Sequence, residues 1–361
     1  MRPLAVVRLS VRNVRNLRHV DVEPGARLNV FSGDNGQGKT NLVEAIYLGA
    51  TTKSFRTSKL KELLTEGERE GSVRLSVAGD PPYEQSVGIR AGGRVLRVDG
   101  AAPPSAVAYA SRTPVVVFSP TEVALSMGSS RERRRLLDQI SLYTTPARAE
   151  ASSRMAHALS SRQRVLETRG TGAADLDAWE DLIVRHGLET MATRRAASEL
   201  LARAATVAFS EIAAPDLDLG VRYAPGAPED EAQFRGELQA NRERDLRRGS
   251  ATSGPHRDEL ELTISGHTAR GWASQGQHRA IVLALKAAEL AVVADARLCR
   301  PVLLLDDVSS ELDRERSAAL LAFLGKLEGQ VFVTTTRPEW IDTPTTERKD
   351  FAVQGGQIRT L

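Results

Sequence analysis

The chain has 361 residues, of which 41% are hydrophobic and 26% charged, a composition that is typical of a soluble globular protein and favours neither a disordered nor a membrane-embedded one. No apolar run approaches the ~20 residues that cross a bilayer, and arginines interrupt the N-terminal stretch where a signal peptide would be apolar, so we expect a cytoplasmic protein. The single cysteine, Cys299, excludes an internal disulfide, and a net charge of +3 makes no case by itself for nucleic-acid binding.

A strand, a glycine-rich loop and a helix are predicted near the N-terminus. Residues 26–31 alternate apolar side chains as a strand does, and residues 41–48 carry them at helical spacing. Between them, GDNGQGKT fits the G-x-x-x-x-G-K-[ST] pattern of a loop whose backbone N–H groups surround phosphates. Asn41 stands where a dinucleotide-binding loop would need a third small residue. The predicted ATP-binding residues of the loop are Gly33, Asp34, Asn35, Gly36, Gln37, Gly38, Lys39, Thr40 and Asn41.

Two side chains of the loop have specific predicted roles. Lys39 reaches the β- and γ-phosphates of ATP and is assigned a catalytic role, whereas the Thr40 hydroxyl ligates Mg²⁺. The N-terminus of the following helix adds partial positive charge. A chance glycine-rich turn before a helix is the plain alternative, and the complete eight-residue match between a strand and a helix argues against it.

The middle of the chain is predicted to be mainly helical. Residues 150–168 and 179–209 are rich in alanine, leucine and arginine and are separated by a glycine-containing turn, which predicts two antiparallel helices forming a short arm. Basic residues that could contact DNA phosphates are Lys53, Arg56, Lys59, Arg131, Arg133, Arg134 and Arg135. The alternative is a set of solvated helix faces balanced by nearby acids. With 4% aromatic residues, base stacking is disfavoured and contact with the backbone of duplex DNA is expected.

A second motif, SQGQ at 274–277, precedes a stretch with strong helix propensity. In isolation its serine is most simply an N-cap. Its position, after the phosphate loop and shortly before the acidic strand described next, resembles that of the signature segment of ABC-type ATPases. This resemblance implies that Ser274, Gln275, Gly276 and Gln277 contact the γ-phosphate of an ATP bound to a second copy of the chain. Ser274 is therefore also assigned a catalytic role.

Residues 301–307, PVLLLDD, predict a strand buried on both faces that ends in two acids. Asp306 would hold Mg²⁺, and Asp307 would orient or deprotonate the attacking water. A helix cap is the plain alternative for Asp306. The strand predicted at 330–336 ends in threonines where transporter ATPases carry a histidine, so Thr335 or Thr336 is only a weak substitute as γ-phosphate sensor.

The order of these motifs resembles that of an ABC-type ATPase, and further stretches resemble the RecF family of bacterial recombination mediators. These stretches are VRNL at 14–17, SFRT at 54–57, GSSRERRRLLD at 128–138, GPHRD at 254–258 and LLLDDVSSELD at 303–313. The first of them adds Arg15 as a predicted ATP contact, and SSELD at 309–313 matches a segment that crosses the dimer interface in ABC-type folds.

The resemblance implies an α/β fold: an ABC/SMC-head-like P-loop ATPase lobe at residues 1–117 and 252–361, with an inserted, mainly helical lobe at 118–251. It also implies a weak, DNA-stimulated ATPase that dimerises on ATP, clamps DNA and releases it on slow hydrolysis. The partners implied are RecR, RecO and RecA, in gap repair and SOS induction, with no membrane partner. Two alternatives stay open: the motor of a membrane transporter, and an adaptor that binds ATP without hydrolysing it.

Overall fold

The computed structural model describes residues 4–90, 92–212, 217–307, 329–341 and 347–361. The chain packs as two compact units, residues 1–122 with 293–361 and residues 123–292. The sequence analysis predicted that the chain re-enters the ATPase lobe, which corresponds to the first unit, at residue 252. The structure places it at 293, because the strand that begins at Glu259 pairs within the second unit.

A six-stranded sheet forms one part of the first unit. Its order is β14-β13-β3-β12-β11-β7, and all neighbours are parallel except the antiparallel pair β13–β14. The strands are β3 (Leu28–Ser32), β7 (Val115–Phe118), β11 (Val302–Leu305), β12 (Val331–Thr335), β13 (Arg348–Gln354) and β14 (Gln357–Thr360). The strand and helix predicted around the loop are confirmed as β3 and α1 (Lys39–Thr51). All four residues of β11 are buried, as expected for a central parallel strand.

A five-stranded antiparallel sheet of order β2-β1-β4-β5-β6 completes the first unit. Its strands are β1 (Ala5–Val14), β2 (Leu17–Val22), β4 (Glu70–Ala78), β5 (Tyr83–Arg90) and β6 (Gly93–Val98). Alternate residues of β4 point into a core shared with α1. Helix and sheet approach closely at Gly49, where an added Cβ would lie 2.8 Å from Val73. A short helix, α2 (Ala106–Ala110), follows the sheet.

Helices dominate the second unit. They are α3 (Ala124–Met127), α4 (Ser130–Thr144), α5 (Ala151–Arg169), α6 (Leu176–Ile212), α7 (Glu231–Ala240), α8 (Arg242–Arg248), α9 (Ala269–Trp272) and α10 (Gln275–Arg297). A small antiparallel sheet of order β10-β9-β8 joins β8 (Leu219–Ala224), β9 (Glu259–Ile264) and β10 (His267–Thr268). The two long helices predicted from the sequence are confirmed as α5 and α6, which pack against each other. No helix within the described ranges is long and apolar enough to cross a membrane.

Candidate nucleotide site and signature segment

Glycines allow the loop after β3 to fold back on itself. Gly38 has φ +113° and Gly36 φ +78°, conformations that L side chains rarely adopt. At Gly33 an added Cβ would come within 2.2 Å of the carbonyl oxygen of Val353 on β13. The loop therefore packs closely against the neighbouring strand. Gly36 and Gly38 are needed for their backbone conformation, and Gly33 is needed because a side chain there would clash with β13.

The side chain of Lys39 lies inside this loop. Its Nζ donates to the carbonyl oxygens of Gly33 at 2.7 Å and Asp34 at 2.8 Å, and only 7% of the residue is exposed. Burial lowers the pKa of Lys39, while the nearby carboxylates of Asp307, Asp306 and Asp34 act in the opposite direction. A cation is thus held at the centre of a ring of backbone groups, where phosphate oxygens can replace the carbonyls as its partners.

Three parallel strands bring the chemical groups together at their carboxyl ends. Asp306 follows β11, Thr334 lies on β12, and Thr40 is the second residue of the helix after β3. The Thr40 hydroxyl donates to Asp306 Oδ1 at 2.9 Å, and the Thr334 hydroxyl donates to the same oxygen at 2.8 Å. The predicted proximity of Thr40 and Asp306, 266 residues apart, is therefore present in the structure, at the edge where α/β sheets hold their ligands.

Asp306 is buried, and burial raises the pKa of its carboxyl group. The hydroxyls of Thr334 and Thr40 lower the pKa, whereas the charge of Asp307 raises it further. A carboxylate and a hydroxyl in contact are hard oxygen donors of the kind that Mg²⁺ prefers. These two residues fit a magnesium ion held between the loop and the acidic strand.

Asp307 has a left-handed backbone conformation, with φ +48°. Such a conformation costs a non-glycine residue roughly 1–2 kcal/mol, although aspartate tolerates it better than most. The backbone N–H of Asp307 donates to the Thr334 hydroxyl at 2.8 Å, which fixes the turn. Thr334 thus links both acids, a role that the sequence did not reveal. Thr335, one of the two threonines considered as weak substitutes for a γ-phosphate sensor, accepts a bond from the backbone N–H of Arg337 at 2.9 Å.

Asn16 is a second residue that the sequence analysis missed as part of the site. Its Nδ2 donates to the Gln37 carbonyl at 3.2 Å, and its Oδ1 accepts from Asn41 Nδ2 at 2.9 Å. An added Cβ at Gly38 would lie 2.8 Å from the same side chain. Asn16 therefore braces the loop from the β1–β2 turn. Its place beside Arg15 in the VRNL stretch was the available signal.

The signature segment is held by hydrogen bonds between its own residues. Ser274 directly precedes the first residue of α10, its Oγ accepts from the Gln277 backbone N–H at 3.2 Å, and Gln277 Oε1 accepts from the Ser274 N–H at 2.7 Å. This reciprocal pair is a capping box. Ser274 and Gln275 are exposed, whereas His278, one residue beyond the segment, is buried and bonded to Ser126 at 2.7 Å. The Ser274 hydroxyl keeps its own proton, which it can still donate to an incoming anion.

Comparisons with known proteins identify the family. The AAA domain family matches residues 8–89. The chain is 35% identical to the DNA replication and repair protein RecF of Geobacter sp. (strain M21), covering 98% of this chain and 100% of that protein. For RecF of Anaeromyxobacter sp. (strain Fw109-5) the identity is 38%, with 99% and 100% covered. The chain belongs to the RecF family.

Solved structures agree with this assignment. A structure of the recombination mediator protein RecF-ATP in the RecFOR pathway matches with a TM-score of 0.87 and 28% identity over 100% of both chains. An Smc head domain from Pyrococcus furiosus matches at 16% identity with a TM-score of 0.56, covering 99% of this chain and 96% of that chain, which is a likeness of fold alone. The predicted RecF resemblance and the predicted ABC/SMC-head-like α/β fold are both confirmed.

Within this RecF-family chain, two of the predicted ligand-contacting arginines make ion pairs with the same carboxylate. Arg15, predicted to contact ATP, donates through Nε and Nη2 to the buried Glu44 at 2.9 and 3.0 Å and also binds the Glu62 carbonyl. Arg56, predicted to contact DNA, donates to Asn41 Oδ1 at 2.8 Å and Glu44 at 3.2 Å, and its charge lowers the pKa of Asp306. Both arginines thus form ion pairs with Glu44, and Arg56 is also exposed. Their contacts with ATP and DNA stay predictions.

Two further predicted DNA contacts are held by protein groups. Arg133 is 6% exposed, and its Nε and Nη2 bind Glu259 at 2.6 and 2.8 Å. Arg134 donates to the carbonyl of Asp258 and to Ser130, both at 2.7 Å. These bonds fix α4 to Asp258 and to Glu259 at the start of β9. Arg133 is buried by them, whereas Arg134 is half-buried, and its contact with DNA stays a prediction. The other predicted contacts Lys53, Lys59, Arg131 and Arg135 are exposed.

The remaining predictions divide between the two units. The loop, Asp306 and Asp307 lie in the first unit, and the signature segment lies in the second. The SSELD stretch at 309–313, predicted to cross a dimer interface, lies outside the described residues.

Proposed function

We propose that this chain is an ATP-dependent, DNA-binding recombination mediator with weak ATPase activity, whose bound ATP joins two copies of the chain around DNA. The observation that carries the proposal is the contact of Thr40 with Asp306 beneath a loop that encloses Lys39. A phosphate loop, a metal-binding hydroxyl and an acidic strand end are the parts that ATP hydrolysis by this class of fold requires. RecF-ATP, at a TM-score of 0.87, supports ATP as the ligand.

In this proposal each residue of the loop acts on the triphosphate. Lys39 exchanges its two carbonyl partners for β- and γ-phosphate oxygens, and the backbone N–H groups of residues 33–41 bind the remaining oxygens. Thr40 and Asp306 would hold Mg²⁺, which when bound neutralises charge on the phosphates. Thr334 keeps Asp306 in position through its hydroxyl. Asp307, fixed by the same hydroxyl, would orient or deprotonate the attacking water.

The second half of the site is proposed to come from the partner copy. Ser274 is exposed, its hydroxyl proton remains available, and it lies at the N-terminus of the 23-residue helix α10, where the helix dipole favours an anion. ATP that contacts both a loop and a signature segment binds the closed dimer more tightly than the monomer. Binding therefore shifts the population towards closed dimers, and hydrolysis returns it to the open state.

The biological setting is proposed from the family. The relatives are DNA replication and repair proteins, and RecF-ATP is a recombination mediator of the RecFOR pathway. We therefore propose duplex or gapped DNA as the polymer that the dimer clamps, with RecR, RecO and RecA as partners in gap repair and SOS induction. DNA is expected to stimulate hydrolysis, and phosphate contacts should make binding strongly dependent on salt.

Mixing two inactive variants tests the composite site. Lys39→Met removes the loop cation, and Ser274→Arg blocks the signature, so neither variant alone should dimerise on ATP. A mixed dimer restores one complete site, with Lys39 from one copy and Ser274 from the other. We expect ATP-dependent heterodimers, detected by fluorescence transfer between separately labelled variants. No heterodimer in the mixture, under conditions where the wild-type protein dimerises, would contradict the proposal.

A further inference from the structure

The outer face of the antiparallel sheet carries a groove that the nucleotide site does not use. The groove has a volume of about 390 Å³. Its floor is formed by small residues, Ser72, Ser86 and Gly88, on β4 and β5. Small side chains leave the backbone accessible, and the two serines offer hydroxyl groups to a ligand.

Four arginines surround these small residues. In the register of the sheet, Arg12 lies opposite Ser72, and Arg74 lies opposite Ser86, which in turn faces Arg97. Arg90 closes the end of β5. All four line the groove, so the cations of four strands converge on one surface.

The ion pairs of these arginines leave them able to bind a ligand. Arg74 lies 3.5 Å from Glu84 and Arg90 lies 3.1 Å from Glu70, with about 60% of each arginine side chain exposed. Arg12 pairs with Asp21 at 2.8 Å and is 40% exposed. Exposed pairs of this kind contribute about 0–1 kcal/mol. Phosphate groups, which accept two parallel bonds from a guanidinium, can therefore compete for these arginines.

The size of the groove restricts what it can hold. From β1 to β6 there are three strand spacings, or about 14 Å. A shallow groove of this width holds one sugar-phosphate strand rather than both strands of a duplex.

We propose that this groove binds one strand of the DNA backbone, with Arg12, Arg74, Arg90 and Arg97 contacting phosphates. The inference rests on the proposed DNA-binding function and gives it a surface. An acidic polypeptide fits less well, because an added peptide strand would use the hydrogen-bonding edge of a sheet and apolar pockets for its side chains. Here the ligand meets a mostly polar face: of the two large apolar residues that line the groove, Ile89 is fully buried and Val95 is 39% exposed.

Charge and shape can be tested separately. The first test is the double variant Arg74→Gln/Arg97→Gln, compared with Arg222→Gln as the control. Arg222 is an equally suitable strand arginine, since it is 74% exposed and paired with Glu261 across β8 and β9, outside the groove. The second test compares Ser86→Glu, which places an acid on the floor, with Ser86→Gln, which adds similar bulk without charge.

Binding of a fluorescent gapped duplex is measured with ATP over a salt series. We expect the double variant to bind about ten-fold more weakly at 100 mM salt, with the salt slope reduced by about 2. Ser86→Glu should weaken binding by more than Ser86→Gln, and Arg222→Gln should leave it unchanged. ATP-dependent dimerisation, followed by sedimentation, should be normal in every variant.

Three results would overturn the inference. Normal duplex binding by both the double variant and Ser86→Glu would show that DNA lies elsewhere, while the proposed function would stand. Absence of DNA binding by the wild-type protein would overturn the groove and the proposed function together. Loss of polyglutamate binding in the double variant, with duplex binding unchanged, would assign the groove to an acidic polypeptide.

Discussion

The phosphate loop and the signature segment are built in different ways. The loop is held by residues distant in the chain: Asp306 accepts a bond from Thr40 and is itself held by Thr334, and Asn16 braces the loop from the N-terminal turn. The signature segment closes on itself, with Ser274 and Gln277 bonded to each other in a capping box. Long-range contacts thus fix one half of the proposed site, and a four-residue motif fixes the other.

Because of this difference, the loop and the signature segment indicate a nucleotide-binding role to different degrees. A loop, a lysine and two acids brought together across 266 residues have few purely structural explanations. A capping box is common at helix N-termini and would be stable without any ligand. The signature therefore gains its functional meaning only from a second copy of the chain, and variants that separate capping from phosphate binding are the informative ones.

The largest effect is expected from Lys39→Met. The substitution removes the buried cation that is bonded to the Gly33 and Asp34 carbonyls, so ATP affinity should fall by about 100-fold or more because charge-assisted bonds to phosphate are lost. Titration with a fluorescent ATP analogue measures the loss. Lys59→Met, at an exposed lysine paired with Glu62, is the matched control and should bind normally. Equal affinity in the two variants would break the assignment of the loop.

Thr334→Val tests the residue that joins the two acids. The substitution keeps the side-chain shape and removes the bonds to Asp306 Oδ1 and from the Asp307 N–H. We expect the hydrolysis rate to fall about ten-fold, since one or two bonds of about 1 kcal/mol each position the acids, with ATP affinity changed by less than about three-fold. Thr335→Val is the control, because its hydroxyl accepts only from Arg337 N–H among the bonds described. An equal loss in both variants would deny Thr334 a specific role.

Asp306→Asn should stabilise the protein without ligands. Burial raises the pKa of Asp306 above that of the unfolded chain, so the native state binds more protons between the two pKa values. The free energy of unfolding therefore falls as pH rises through that window. Asn keeps an oxygen that can accept from Thr40 and Thr334 and carries no charge. We expect Tm at pH 7.5 to rise by about 2 °C, with a smaller difference at pH 4.

Asp21→Asn should change Tm at neutral pH in the opposite direction. The Ser10 hydroxyl and the Arg12 guanidinium lower the pKa of Asp21 to about 2. Asp21 therefore contributes stability that is present above its unfolded pKa and is lost as pH falls towards the folded value. Its replacement should lower Tm slightly at pH 7.5. A fall in Tm at neutral pH for Asp306→Asn as well would contradict the assignment of a charged, destabilising group to the nucleotide site.

The smallest effect is expected from Ser274→Ala. Loss of an N-cap costs about 1 kcal/mol, so Tm should fall by only about 1–2 °C, and ATP binding by the monomer should be unchanged. Thermal melts and nucleotide titrations at low protein concentration measure both quantities. A large loss of monomer ATP affinity would mean that Ser274 contacts the ATP bound to its own chain. This result would contradict the claim that Ser274 acts only on ATP bound to a second copy.

Local patterns in the sequence were sufficient to predict β3, the loop, α1 and the buried strand β11, because each depends on residues close in the chain. Pairings between distant residues were not predictable in this way. Arg133 resembled a DNA contact within a run of arginines, and nothing nearby in the sequence indicates Glu259, its partner 126 residues away. Asn16 and Thr334 were missed for the same reason: their roles depend on which strands become neighbours.

The direct test of the central claim is sedimentation velocity of Ser274→Asp with a slowly hydrolysed ATP analogue. Aspartate caps helices as well as serine does, so a segment that only caps α10 would leave the protein unaffected. A signature that meets the γ-phosphate of a second copy would repel it through the added carboxylate. We predict a nucleotide-bound monomer at concentrations where the wild-type protein is dimeric. Dimerisation of Ser274→Asp equal to that of the wild type would contradict the shared site.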